Sequence, residues 1–120
     1  MNEKPHYIGH RKRLRERFLK GGPGALPDYE MLELVLFLAQ PRGDVKPLAK
    51  GLLKRFGSYA RVLHAEPEEL KEVAGIGDAA VVALRTVRDG AIRLVREDVV
   101  GQSVLGSWQA LIDYCPASMA

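Results

Sequence analysis

Apolar residues recur along this chain at spacings of three and four, the period of a helix that buries one side. Nothing in it reads as paired strands: there is no alternating β-branched run and no Asn-Gly or Asp-Gly hairpin turn. A first helix is expected over about 10–20, with Leu14 and Phe18 on one face and arginines around the rest. Gly21-Gly22-Pro23-Gly24 breaks the pattern and reads as a flexible joint that lets this basic helix sit apart from the core. Asp28 is a natural N-cap for a second helix over about 29–39. Its Met31, Leu32, Leu34, Val35, Leu36, Phe37 and Leu38 cover almost every face, so this helix should be the buried centre.

Asp44 is expected to cap a third helix, in which Val45, Leu48, Ala49, Leu52, Leu53 and Phe56 keep the 3-4 spacing. Pro47 falls in its first turn, where a missing N–H costs little, and Gly57 fits its C-terminal end. On the other side Lys46, Lys50 and Lys54 recur every four residues as one basic ridge. Ser58 starts a short helix to about His64, and Pro67 opens another over about 68–73. A long helix over about 78–97 is apolar at Val81, Leu84, Val87, Ala91, Leu94 and Val95. Residues 101–106 then form a linker, and Ser107 caps a last short helix over 108–114. The expected fold is all-α, a compact bundle of six to seven helices. It comprises a basic helix and joint (1–24), a helical domain (25–100), and a linker with a short helix (101–120).

Composition narrows the function classes. At 120 residues, with 47% hydrophobic and 28% charged residues, the chain has the make-up of one globular domain. Cys115 is the only cysteine, which excludes an internal disulfide and a multi-cysteine metal site and favours the cytoplasm. The longest apolar run is too short to cross a bilayer, so no membrane is expected as a partner. Net charge is +3, unevenly spread. Residues 1–20 hold seven basic side chains against Glu3 and Glu16, and 42–61 hold six against Asp44. Residues 66–78 are acidic. Basic stripes of this kind favour polyanions.

One segment carries chemistry. A short helix enters Gly75-Ile76-Gly77 and a longer one leaves it. Glycines two apart allow a sharp turn and the close approach of another chain, since no Cβ intervenes. The N–H groups at the start of the following helix are unpaired donors, and the helix dipole favours an anion there. Ile76, turned inward, would pin the hairpin. The backbone amides of Gly77, Asp78 and Ala79 then form a phosphate-sized site that reads no bases. Lys46, Lys50 and Lys54, or Arg11, Arg13 and Arg15 of the first helix, would engage neighbouring phosphates. Asp78 opposes this reading with a negative charge where a phosphate would sit, and no Lys or Arg follows it until Arg85.

The pattern resembles the helix-hairpin-helix of DNA repair and recombination proteins. Four further blocks, His10–Leu19, Leu26–Leu34, Pro41–Ala49 and Arg55–Ser58, precede Gly75-Ile76-Gly77 in the order of the N-terminal region of RadC-family proteins. The resemblance covers about residues 6–114. It implies a DNA repair-type protein whose second half is a zinc-binding JAB/MPN domain, with 108–114 leading into it.

The metal centre of such a domain needs three protein ligands plus water, whereas this chain offers only His6, His10, His64 and Cys115, without ligand spacing. No metal, cofactor or catalytic residue is therefore expected. The leading expectation is a DNA-binding module without sequence preference, of weak affinity, roughly micromolar or worse at physiological salt. The alternative is a protein-interaction or regulatory domain, in which Trp108, Tyr114 and the last helix pair two copies. A remote alternative is a fragment of a helix-hairpin-helix DNA glycosylase. It lacks the lysine that Schiff-base chemistry needs after the second glycine, although Asp98 stands at a loosely suitable distance.

Overall fold

The computed structural model of the chain describes residues 7–22 and 24–97. Among them there are six helices and no strands: α1 (Tyr7–Gly21), α2 (Asp28–Ala39), α3 (Lys46–Phe56), α4 (Tyr59–His64), α5 (Pro67–Lys71) and α6 (Asp78–Arg96). The protein is thus all-α. The chain divides into two compact units, residues 1–86 and 87–120. The expected linker at 101–106 and last helix at 108–114, with Trp108, Tyr114 and Cys115, lie outside the described residues, as does Asp98.

In the first unit α2 packs on α1, α3 and α4, as its all-round apolar character requires. Leu32 and Leu36 are fully buried, and Leu14, Leu52, Val62 and Leu70 join them from α1, α3, α4 and α5. Each buried leucine contributes about 1.5–3 kcal/mol of transfer free energy. Two positions of α2 differ from expectation. Leu38 is 78% exposed, while Glu33 is wholly buried. Glu33 Oε1 lies 3.0 Å from His10 Nε2 of α1, and among the described residues Glu33 Oε2 has no hydrogen-bond partner.

The basic helix does not stand apart. Beyond the buried Leu14, the Arg17 guanidinium donates to both carboxylate oxygens of Glu30 at 2.8 Å. Arg11 donates to the Gly43 carbonyl at 2.8 Å and lies 4.5 Å from the Phe37 ring centroid. These attachments act in place of the loose joint expected at 21–24: a buried leucine and four polar contacts outweigh the freedom of the glycines.

Two expected caps also act elsewhere. α2 begins at Asp28 after Pro27, and the Asp28 carboxylate accepts instead from the Tyr59 N–H, 3.0 Å away at the start of α4. Asp44 caps α3 from one residue further out, accepting from the Lys46 N–H at 3.0 Å. Ser58 caps α4 through the Arg61 N–H, and Gly57 closes α3 at φ +100°. α5 stops at Lys71, two residues short of the expected end, because residues 72–77 turn toward α6. In α6, Val81 and Leu84 are buried in the first unit, whereas Leu94 and Val95 of the second are exposed.

Two measurements check this packing. His10→Ala strands a buried carboxylate and should cost about 2 kcal/mol in urea unfolding. Glu33→Gln, which removes the charge itself, should cost less than half of that; equal costs would contradict the pairing. Tyr29 supplies a pH test. Burial first, then the charges of Glu33, Asp44 and Glu30, push its phenol up to about 12 from 10.0. Its contribution to stability is therefore complete below pH 10 and disappears as pH rises through 12. In a phenolate absorbance titration, Tyr29→Phe should delete a step near pH 12.

Candidate nucleic-acid interface

The hairpin begins where α5 ends. Pro67 fixes the first turn of α5, and the Glu66 N–H donates to the Glu69 carboxylate at 3.1 Å. After Lys71 the chain turns through 72–77, the Ile76 N–H donates to the Val73 carbonyl, and the Ile76 side chain is buried. The Val81 N–H then reaches back to the Gly77 carbonyl as α6 starts. The chain thus passes from a short helix through a turn with one buried isoleucine into a longer helix.

The two glycines have different reasons to be there. Gly75 adopts φ +89°, a conformation that L side chains rarely take, and a Cβ on it would lie 3.3 Å from the Leu48 side chain. Backbone and packing both require it. Gly77 has no left-handed φ, and a Cβ there would meet nothing within 4 Å. Gly77, Asp78 and Ala79 are exposed, and among the described residues no hydrogen bond uses their N–H groups. The start of α6 therefore offers bare donors at the positive end of a 19-residue helix.

α3 holds this turn through three contacts. Leu48 fills the space beside Gly75, and Arg55 pairs with Glu72 at 2.7 Å. Between them Gly51 lets the turn come close, since a Cβ there would sit only 3.0 Å from Val73. A glycine in mid-helix costs about 1 kcal/mol against alanine. That cost is the signal by which Gly51 is recognisable in the sequence as a packing point, and it was missed.

A second missed residue is Lys71. Its ammonium pairs with the Asp78 carboxylate across the mouth of the hairpin. Lys71 holds the Asp78 carboxyl below the usual range by hydrogen bond and charge, and Asp78 in turn raises Lys71. The acid that stood against an anion site is thus matched by a cation seven positions earlier in sequence, close only because the chain reverses. Arg85, the first cation after the hairpin, instead donates to the Ala65 carbonyl at 2.9 Å and is spent on structure.

The other expected residues are more scattered. Lys50 and Lys54 are exposed, Lys46 is half-buried, and among the described residues none forms an ion pair. Their ridge lies roughly a third of a turn round α3 from the stripe that grips the hairpin. On α1, Arg11 is committed to Gly43 and Phe37. Arg13 is exposed and folds back over Gly9, and Arg15 borders an apolar groove between α1 and α2. His64 is exposed in the last turn of α4. Among the described residues no three His, Cys, Asp or Glu side chains converge on a metal-sized site, and no helix is long and apolar enough to cross a membrane.

Comparison with known proteins gives the arrangement a family. Residues 7–82, from the start of α1 into the first turns of α6, match the family model described as UPF0758 N-terminal. A UPF0758 protein of Ruegeria pomeroyi is 55% identical over 117 residues, 97% of this chain and 52% of its own length. One from Rhodobacter capsulatus is 58% identical over 107 residues, 89% of this chain and 50% of its own. The chain thus spans about half the length of these curated relatives. No solved structure matches it. The matched stretch takes in α1, the buried α2, the gripping α3 and the hairpin together, and the chain belongs to the UPF0758 family, the RadC-like proteins, aligning with its N-terminal region.

Proposed function

We propose that this domain binds the phosphate backbone of DNA through the 75–79 hairpin, without sequence preference. The observation that carries the reading is Gly77. Neither its backbone conformation nor its packing calls for glycine, yet it leaves the first amides of α6 uncovered. A bare backbone at a helix start suits a ligand that must come within hydrogen-bond distance of main-chain N–H groups, and a phosphate oxygen is such a ligand. Lys71 adds an exposed cation at the rim, exchanging Asp78 for phosphate when DNA arrives. Lys50 and Lys54, or Arg13, supply charge for further phosphates. Contacts of this kind identify no base, so specificity would be for backbone shape. In relatives about twice as long, the domain would hold DNA for the remainder of the chain.

Fluorescence anisotropy of labelled duplex, single-stranded and forked DNA at two salt concentrations tests the proposal. Binding should weaken with salt by about 0.9 in log–log slope for each phosphate engaged on duplex. Gly77→Ala has room for its methyl group and should stay folded by circular dichroism, yet bind several-fold more weakly. Asp78→Asn should bind several-fold more tightly, because it removes the repelling charge and releases Lys71. If neither substitution changes affinity, or no DNA binds at low salt, the hairpin is not a phosphate site.

A further inference from the structure

Away from the hairpin, the first unit carries an open groove of about 550 Å³ between α1 and α2. α1 contributes Arg11, Arg15 and Phe18, at spacings of four and three; α2 and the chain after it contribute Leu34, Phe37, Leu38 and Pro41. The floor is apolar, and Leu38 stands 78% exposed at its edge. The lining holds two cations and no carboxylate. The carboxylate of Glu30, which faces α1, is taken up by both arms of Arg17. Arg11 is already on Phe37 and Gly43, whereas Arg15 has no hydrogen bond or ion pair among the described residues. From Arg11 to Phe18 the groove runs about 10 Å along α1, or two helical turns.

We propose that this groove is a docking site for an acidic amphipathic helix of another protein. Two or three aliphatic or aromatic side chains at i, i+3/i+4 and i+7 would cover Leu34, Leu38 and Pro41, and an aspartate or glutamate beside them would meet Arg15. Charge complementarity selects the acid: an apolar surface bordered by two arginines rejects a basic helix and rewards a carboxylate. The shape of the floor disfavours a nucleic acid. Base stacking needs open aromatic faces; here Phe37 lies under Arg11 and in T-shaped contact with His10, Phe18 is half-buried, and Leu34, Leu38 and Pro41 have no ring to stack on. Covering Leu38 and its neighbours supplies hydrophobic free energy, while Arg15 sets orientation. The proposal shares no residue with the 75–79 hairpin and stands or falls apart from it.

A phage-displayed library of random 14-residue peptides, panned on the full 120-residue chain and counter-selected on Leu38→Asp, supplies the probe. Enriched peptides should carry apolar residues at helical spacing flanked by Asp or Glu. One of them, synthesised with a fluorescent label, should lose about tenfold in affinity toward Leu38→Asp and toward Arg15→Glu. Both substitutions are at exposed positions, and each variant should keep its wild-type circular dichroism spectrum. Exchanging the acids of the peptide for lysine should weaken it comparably. Several results would overturn the proposal: no enrichment, enrichment of basic peptides, or indifference to both substitutions. So would displacement of the peptide by a 20-nucleotide single strand from wild type but not from Leu38→Asp, or a sedimentation dimer of wild type that Leu38→Asp abolishes.

Discussion

Helix α2 carries more apolar surface than one neighbour can cover, and most of the first unit follows from covering it. α1, α3 and α4 each pack against it, so the chain must reverse twice, once on each side of α2. The reversals use Gly22, Gly24 and Gly43, all with positive φ. α1 is too basic to adhere by hydrophobic contact alone; besides the buried Leu14 it is held by Arg17 on Glu30, His10 on Glu33 and Arg11 on Gly43 and Phe37. A carboxylate buried with one unmatched oxygen is a costly fastening. The groove beside Arg15 lies between the two helices that it joins.

α3 divides its surface three ways. Ala49 and Leu52 face the core, Leu48, Gly51 and Arg55 grip the hairpin turn, and Lys50 and Lys54 look outward. A Cβ at position 51 would press on the Val73 side chain, which would have to give by a few tenths of an ångström. The stripe that grips the hairpin and the basic ridge are therefore two faces of one helix, adjacent but not merged. The electrostatics at the hairpin are local: Lys71 and Asp78 balance each other in water-exposed positions, where a pair is weak enough to be exchanged for a ligand.

Periodicity made the helices legible. Gly57, Ser58 and Pro67 also marked helix ends correctly, because a left-handed residue, a capping hydroxyl and a fixed φ act within one or two residues. Asp28 shows where local logic fails. Its carboxylate suits the cap of its own helix, yet it serves the N–H of Tyr59, brought there by packing across 31 positions. Glu33 and Leu38 fail for the same reason in opposite directions. Hydropathy ranks leucine inside and glutamate outside, but His10 stands over Glu33 and Leu38 is left exposed.

At the candidate site, Gly75-Ile76-Gly77 was legible as a turn, and the inward Ile76 as its anchor, since both depend on neighbours in sequence. Lys71 as the partner of Asp78, Gly51 as the gap that admits Val73, and the removal of Arg11 and Arg85 into structural bonds were not. The helices, most of their ends and the glycine turn can be read from residue order alone, because they obey rules of a few residues' range. Which charges are spent on the fold and which face solvent depends on how the helices pack. A long arginine or lysine side chain reaches whatever carbonyl or carboxylate the packing brings near it, and that neighbour lies 7, 20 or 32 residues away.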